Sequence, residues 1–249
     1  MSSIWNSIFY QPIYNILIFI INNVTFGDVG FAIILVTIIV KFALSPLTKK
    51  SIRSQVLMKK MEPEIKQLKK DYPNKEEQAK KTFELYKKYG TNPFSGCVVV
   101  LIQLPVIFAL YYVFLKGLSL DTGLIYSFIA KPSTIHTNFL GLIELSGSSK
   151  SLFLALLAGA TQFLQGYLAS PIKAKKGSVE VIKEGEDKSS FQDELSNSMQ
   201  MNVKYILPVF ITFISWRISA AIALYFVISN IFTIVQEWYI RRTLEDKAI

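Results

Sequence analysis

The chain has 249 residues, 51% of them hydrophobic and 18% charged, and 27 Lys+Arg against 18 Asp+Glu give a net charge of +9. Soluble domains average about 25% charged residues, and disordered chains hold far fewer apolar ones. A mean hydropathy of +0.36 with this basic excess points to membrane spans joined by basic loops, not to a nucleic-acid-binding domain. Cys97 is the only cysteine, so no internal disulfide is possible, and the single histidine, His136, rules out zinc sites built on two or three histidines. No cofactor, metal site or catalytic residue is expected.

Residues 4–24 carry Trp5, Ile8, Phe9, Pro12, Ile13, Ile16, Leu17, Ile20 and Ile21 at alternating spacings of three and one. Asn6, Ser7, Tyr10, Gln11, Tyr14 and Asn15 fall on the other face. This stripe predicts a helix lying in the membrane interface. A cleaved signal peptide is the competing reading, but no Lys or Arg precedes Lys41 and no small-residue cleavage site follows.

A span needs about 20 mostly apolar residues. Residues 29–47 qualify, with Lys41 as their only charge. Residues 49–91 are the most charged segment. Leu57, Met61, Ile65, Leu68 and Tyr72, then Phe83, Tyr86 and Tyr89, recur at helical spacing around a turn at 71–74. That predicts a helical hairpin, with Pro63 marking a kink or a second helix start. A solvated basic loop is the plainer alternative. Lys59, Lys60, Lys66, Lys69, Lys70, Lys80 and Lys81 make the segment a candidate docking surface.

Residues 97–115 form a second span containing Gln103 and Pro105. Residues 117–150 mix Gly, Ser, Pro and apolar residues, as an outer loop with short structure would. Residues 152–168 form a third span with Gln162 and Gln165, and 172–202 read as a flexible, Lys-, Glu- and Ser-rich cytoplasmic loop. Residues 205–238 are too long for one crossing. A break at 216–219 divides them into spans at 205–217 and 219–238. The predicted fold is an all-α polytopic membrane protein: one domain of five transmembrane helices, an N-terminal interfacial helix and a cytoplasmic helical hairpin.

Lys and Arg set the topology. Residues 49–88 hold 13, residues 116–150 three, and residues 173–188 five. The N-terminus is therefore expected outside and the C-terminus in the cytoplasm, which fits an odd number of crossings.

Lys41 is the most informative residue. A lysine at a span centre costs about 2.5–3.5 kcal/mol on insertion scales. Either its ammonium snorkels to the cytoplasmic interface, or it is the fixed charge of a hydrated cavity. Thr37 lies one turn earlier, and Gln103, Gln162, Gln165, Ser229, Asn230 and Gln236 add polar groups on other spans. They fit a shared hydrated site, with scattered interhelical hydrogen bonds as the alternative.

These residues sit within motifs that resemble the YidC/Oxa membrane protein insertases. Asn92-Pro93-Phe94-Ser95-Gly96-Cys97 is similar to the family's N-P-x-x-G-C, and Leu101-Ile102-Gln103-Leu104-Pro105 to its L-I-Q-x-P. Leu44-Ser45-Pro46-Leu47-Thr48 resembles x-x-P-L-T, and Met61-Glu62-Pro63-Glu64-Ile65 the hairpin's x-x-P-x-[IL]. Leu224-Tyr225-Phe226-Val227-Ile228-Ser229-Asn230 resembles L-Y-[YW]-x-x-[SG]-N. The resemblance runs in order along nearly the whole chain.

It implies an insertase of the cell membrane, not an enzyme, with a groove open to cytoplasm and lipid. By the resemblance Lys41, Thr37 and Phe226 would line or flank that groove; Gln103, Gln162, Gln165, Tyr225 and Asn230 complete the candidate groove residues. Its partners would be nascent membrane proteins and the bilayer, with the ribosome, the signal recognition particle pathway and the Sec translocon as further candidates. Nucleic acid would be met only through a ribosome. The family usually has Arg where this chain has Lys41, and Tyr or Trp at Phe226. Without a large outer domain the chain is similar to the short form, and the tail after Trp238 is short for ribosome binding. A small transporter or channel subunit is the alternative function, and an intramembrane enzyme a third.

Overall fold

A computed structural model of the chain describes residues 5–92, 95–115, 123–146, 149–169 and 202–246. Helix α1, Gln11–Asn23, continues a π-helical turn at Asn6–Tyr10. Its burial departs from the amphipathic expectation. Tyr10, Tyr14 and Asn15 of the polar face are buried, whereas Ile8, Phe9 and Ile16 of the apolar stripe are exposed. Hydrogen bonding accounts for the buried Asn15. Asn15 Nδ2 donates to the Leu124 carbonyl at 2.8 Å, and the Tyr126 N–H donates to Asn15 Oδ1 at 2.8 Å. Loop backbone satisfies this edge of the helix. Ile13, Leu17, Ile20 and Ile21 complete the stripe inside the main core.

Helix α2, Val29–Asp71, starts at Asp28, whose carboxylate accepts from the Phe31 N–H at 2.9 Å. It runs unbroken through Pro46 and Pro63. The first span and the first hairpin arm, expected as separate elements, are therefore one rod of about 65 Å. Pro63 starts no new helix. Each proline removes one ladder bond, and the turns on either side carry the helix across. Helix α3, Lys75–Lys88, returns along it. Asn74 caps α3, with Glu76 and Glu77 in the first turn and Lys87 and Lys88 in the last, matching the helix dipole. Met61 of the first stripe is buried, but on the returning arm the buried residues are Thr82 and Leu85, while Phe83 of the expected stripe is exposed. The Tyr89 hydroxyl donates to Glu64 across the arms, which raises the phenol above its ordinary pKa.

Helix α4 is Ser95–Leu115. The next segment holds a two-residue hairpin, β1 Asn138–Phe139 with β2 Ile143–Glu144, turning through Leu140 and Gly141 at positive φ. Helix α5 is Leu152–Ala169. The expected flexible loop lies outside the described residues except for its last position. A π-helical turn, Asn202–Ile206, leads into α6, Leu207–Ile218. Ser219 alone is extended (φ −164°, ψ 144°), and α7, Ala220–Asp246, follows.

Helix α7 is central, packed on α2 and α5, with α6 against α5 and α4 and α1 against α2. The starts of α2 and α7 are tied to loop backbone. The Val29 N–H bonds the His136 carbonyl at 3.1 Å, and the Ala220 N–H bonds Ser149, just before α5, at 2.9 Å. Outward faces are apolar: Leu101 and Phe108 on α4, Phe153 and Leu156 on α5, Val209 and Phe213 on α6. Apolar surface this continuous belongs against lipid.

Three stretches of the described helices are long and apolar enough to cross a bilayer: Val29–Met58, Leu152–Ala169 and Ala220–Leu244. Gln103–Phe114 is a shorter apolar stretch. The 12 residues of α6 reach about 18 Å, so helix length alone does not supply the five expected crossings.

Small residues let α5 and α6 approach closely. A Cβ on Gly159 would press into the Thr212 side chain and come within 3.3 Å of the Pro208 carbonyl. Gly159→Leu is expected to lower stability by about 1–3 kcal/mol through overpacking, read as a lower thermal unfolding midpoint in detergent.

Candidate functional site

Helix α7 carries polar residues on two faces. Ser229, Thr233 and Gln236 recur at one helical stripe, and Asn230, Glu237 and Arg241 at another. The first stripe meets α2. Lys41 Nζ donates to Thr233 Oγ1 at 2.9 Å, and Thr233 Oγ1 donates to the Ser229 carbonyl at 2.8 Å. One turn on, Gln236 Nε2 donates to Ser45 Oγ at 2.8 Å. Phe42 and Phe232 meet edge-on beside them, ring centres 5.1 Å apart. Both helices advance in the same direction along this seam, so α2 and α7 are parallel. The Lys41 ammonium is turned sideways onto the neighbouring helix, and among the described residues no carboxylate pairs with it.

The second stripe meets α5. Asn230 Nδ2 donates to the Ala158 carbonyl (3.3 Å) and to Thr161 Oγ1 (3.2 Å). Arg241 Nη2 donates to the Ala169 carbonyl at 2.9 Å and to Glu237 Oε1 at 2.6 Å. Here the cation complements the carbonyl end of α5 and neutralises a buried carboxylate. Gln162 Nε2 donates to Gln165 Oε1 on α5 itself, at 3.3 Å.

The other expected groove residues are placed differently. Thr37 is buried, its hydroxyl donating to the Ile33 carbonyl at 2.6 Å. Tyr225 and Phe226 are buried in the core, ring centres 5.6 Å apart. The Gln103 amide nitrogen is buried with no partner among the described residues. An unsatisfied donor of this kind costs about 1–3 kcal/mol. By hydrogen bonding, Lys41 joins α7, Asn230 joins the α5 turn before Gln162, and Gln103 joins neither.

On the hairpin, Lys66 pairs with Glu62 and Lys81 with Glu84, which raises the Lys81 pKa and lowers that of Glu84. Lys60, Lys70 and Lys80 are exposed, and Lys59 and Lys69 also lie on α2.

Sequence reading missed Ser45, Thr233, Glu237, Arg241 and Lys204. The Glu237–Arg241 pair had a visible signal in its spacing of four. Lys204 is 8% exposed and lies 4.9 Å from the Tyr167 ring centre and 5.2 Å from that of Tyr205, held by cation–π contact. Only folding brings Tyr167 to it.

Apolar outer faces and polar seams closed between helices define a helical membrane protein. The family described as 60Kd inner membrane protein matches residues 20–247. The chain belongs to that family. It is 32% identical to the membrane protein insertase YidC of Clostridium tetani over 96% of this chain and 92% of the relative. The insertase YidC of Fusobacterium nucleatum is 28% identical, over 95% of this chain and 98% of that one. Against the YidC of Actinobacillus pleuropneumoniae the identity is 31%, and the match spans 39% of that longer relative. A YidC insertase crystal structure aligns over 96% of this chain and 47% of its own, with TM-score 0.57 and 21% identity, a likeness of fold.

Removing one member of the buried pair leaves the other uncompensated. Arg241→Met is expected to cost close to the lower end of the ~3–5 kcal/mol typical of such losses, because the Arg side chain keeps 22% exposure. Asn230→Ala should cost about 0.6 kcal/mol. Adding Glu237→Gln to Arg241→Met should recover most of the loss. Unfolding in mild detergent, compared across the parent and the three variants, checks the ranking.

Proposed function

We propose that the protein is a membrane protein insertase and chaperone. In this reading it moves short polar segments of nascent membrane proteins through a cytoplasm-open groove and releases their apolar helices into lipid. One observation carries the mechanism: Lys41, on an apolar helix, is held by a neutral hydroxyl, and among the described residues no carboxylate pairs with it. Full-length relatives named as insertases support the same class.

A polar segment entering hydrocarbon loses water from its charges and backbone. Lys41 offers an acidic segment an attractive charge partway across. The Gln103 amide nitrogen, without a partner among the described residues, offers a donor to water or to the passing chain. The client's apolar helix then leaves along the exposed apolar faces of α5, α6 and α7. Burial of that helix in lipid drives the step.

The five spans proposed are 29–47, 97–115, 152–168, 205–217 and 219–238, the short ones met by local thinning of the bilayer. The N-terminus and helix 4–24 lie on the outer side and the C-terminus in the cytoplasm. The basic hairpin faces the cytoplasm as a dock for the ribosome, signal recognition particle pathway or Sec translocon.

The test uses cells depleted of their own insertase and a single-span client with a short acidic tail. Lys41→Arg should insert it like the parent. Lys41→Ala should be several-fold slower, and Lys41→Glu slower by about tenfold or more, as a reversed charge in a partly dehydrated site demands. Protease accessibility of the tail gives the rates. Equal insertion by Lys41→Glu and the parent would sink the attractive-charge mechanism.

A further inference from the structure

Several threonines donate back to the carbonyl one turn earlier: Thr37, Thr48, Thr212 and Thr243 as well as Thr233. In most helices this is only local satisfaction. Thr233 does something more, because its oxygen also receives the N–H of a cation 192 residues away in sequence.

A hydroxyl has one proton and two lone pairs. The proton of Thr233 is committed to the Ser229 carbonyl, so its lone pairs are left to face the Lys41 ammonium. The Ser45–Gln236 bond and the Phe42–Phe232 contact flank this point and fix the spacing of α2 and α7. The partner's chemistry matters as much as its place. A carboxylate here would cancel the charge. An apolar residue would free a lysine stem rich in rotamers. A neutral hydroxyl fixes the ammonium, leaves its charge whole, and takes only one of its three donors.

We infer that Thr233 is the positioning residue for Lys41: its hydroxyl holds the ammonium on the α7 side of the groove and so sets the preference for acidic client segments. The preference rests on the insertase reading of Lys41; the positioning does not.

The experiment has two arms on the full chain, comparing the parent with Thr233→Val, Thr233→Ser and Thr48→Val. Valine keeps the shape of threonine and loses the hydroxyl. Serine keeps the hydroxyl. Thr48→Val loses only a back-bond of the ordinary kind. In the first arm the protein sits in lipid nanodiscs. A membrane-permeant succinimidyl ester labels amines, and peptide mass spectrometry reads the Lys41 rate. Thr233→Val should raise that rate about threefold or more by releasing the side chain; Thr233→Ser and Thr48→Val should match the parent.

The second arm reconstitutes insertion of otherwise identical clients with acidic or neutral tails. Thr233→Val should lose about tenfold of the acidic-over-neutral preference, and Thr233→Ser should keep it. An unchanged labelling rate in Thr233→Val overturns the inference, even where Lys41→Ala cripples insertion. A raised rate with an unchanged client preference overturns the selectivity half alone. A raised rate with normal insertion of both clients by Lys41→Ala leaves the positioning standing and removes the insertase role of Lys41. Should Thr233→Val fail to accumulate, Thr233→Ala carries the same arms.

Discussion

A polar group inside hydrocarbon has no water to turn to and must find its partner within the protein. Helix α7 meets that constraint on two sides at once. Its Thr233 and Gln236 close on α2, and its Asn230 and Arg241 close on α5. The parallel arrangement of these helices follows from the register of those bonds. Apolar contact alone gives little direction between helices in lipid, because the surrounding chains are as apolar as leucine. The polar bonds supply the specificity, while the small residues of α5 supply the closeness.

The two cations of these seams have opposite roles. Arg241 is paired, with a buried carboxylate and a helix end to hold, so its charge is spent on structure. Lys41 bonds a hydroxyl, and among the described residues no carboxylate pairs with it. Where the family usually carries Arg, the rigid five-donor fork would present several donors in one plane. The ammonium here keeps a compact charge and two further N–H groups after bonding Thr233.

Much of the frame was legible because it rests on local rules. The uninterrupted apolar runs announced helices, the charged and small polar residues at 216–219 announced the break now seen at Ser219, and the turn at 71–74 announced the returning hairpin arm. The first expected boundary, after residue 47, was read from composition changing from apolar to charged. Helix geometry is indifferent to that change, so α2 runs on through both prolines. The burial of helix α1 differs from its stripe for a related reason. Periodicity says which residues share a face, but not what that face meets, and here the polar edge of Asn15 met loop backbone.

The sequence by itself determined the helical membrane class, the family and the isolation of Lys41, because hydropathy, charge and motif are properties of short stretches. It also contained every polar residue of the two seams. Only the tertiary structure decided which of them meet. Thr233 lies far from Lys41 along the chain, and Tyr167 far from Lys204, so no local pattern links them. Their pairing depends on how α7 is rotated between α2 and α5, which is set by the packing of all three helices together.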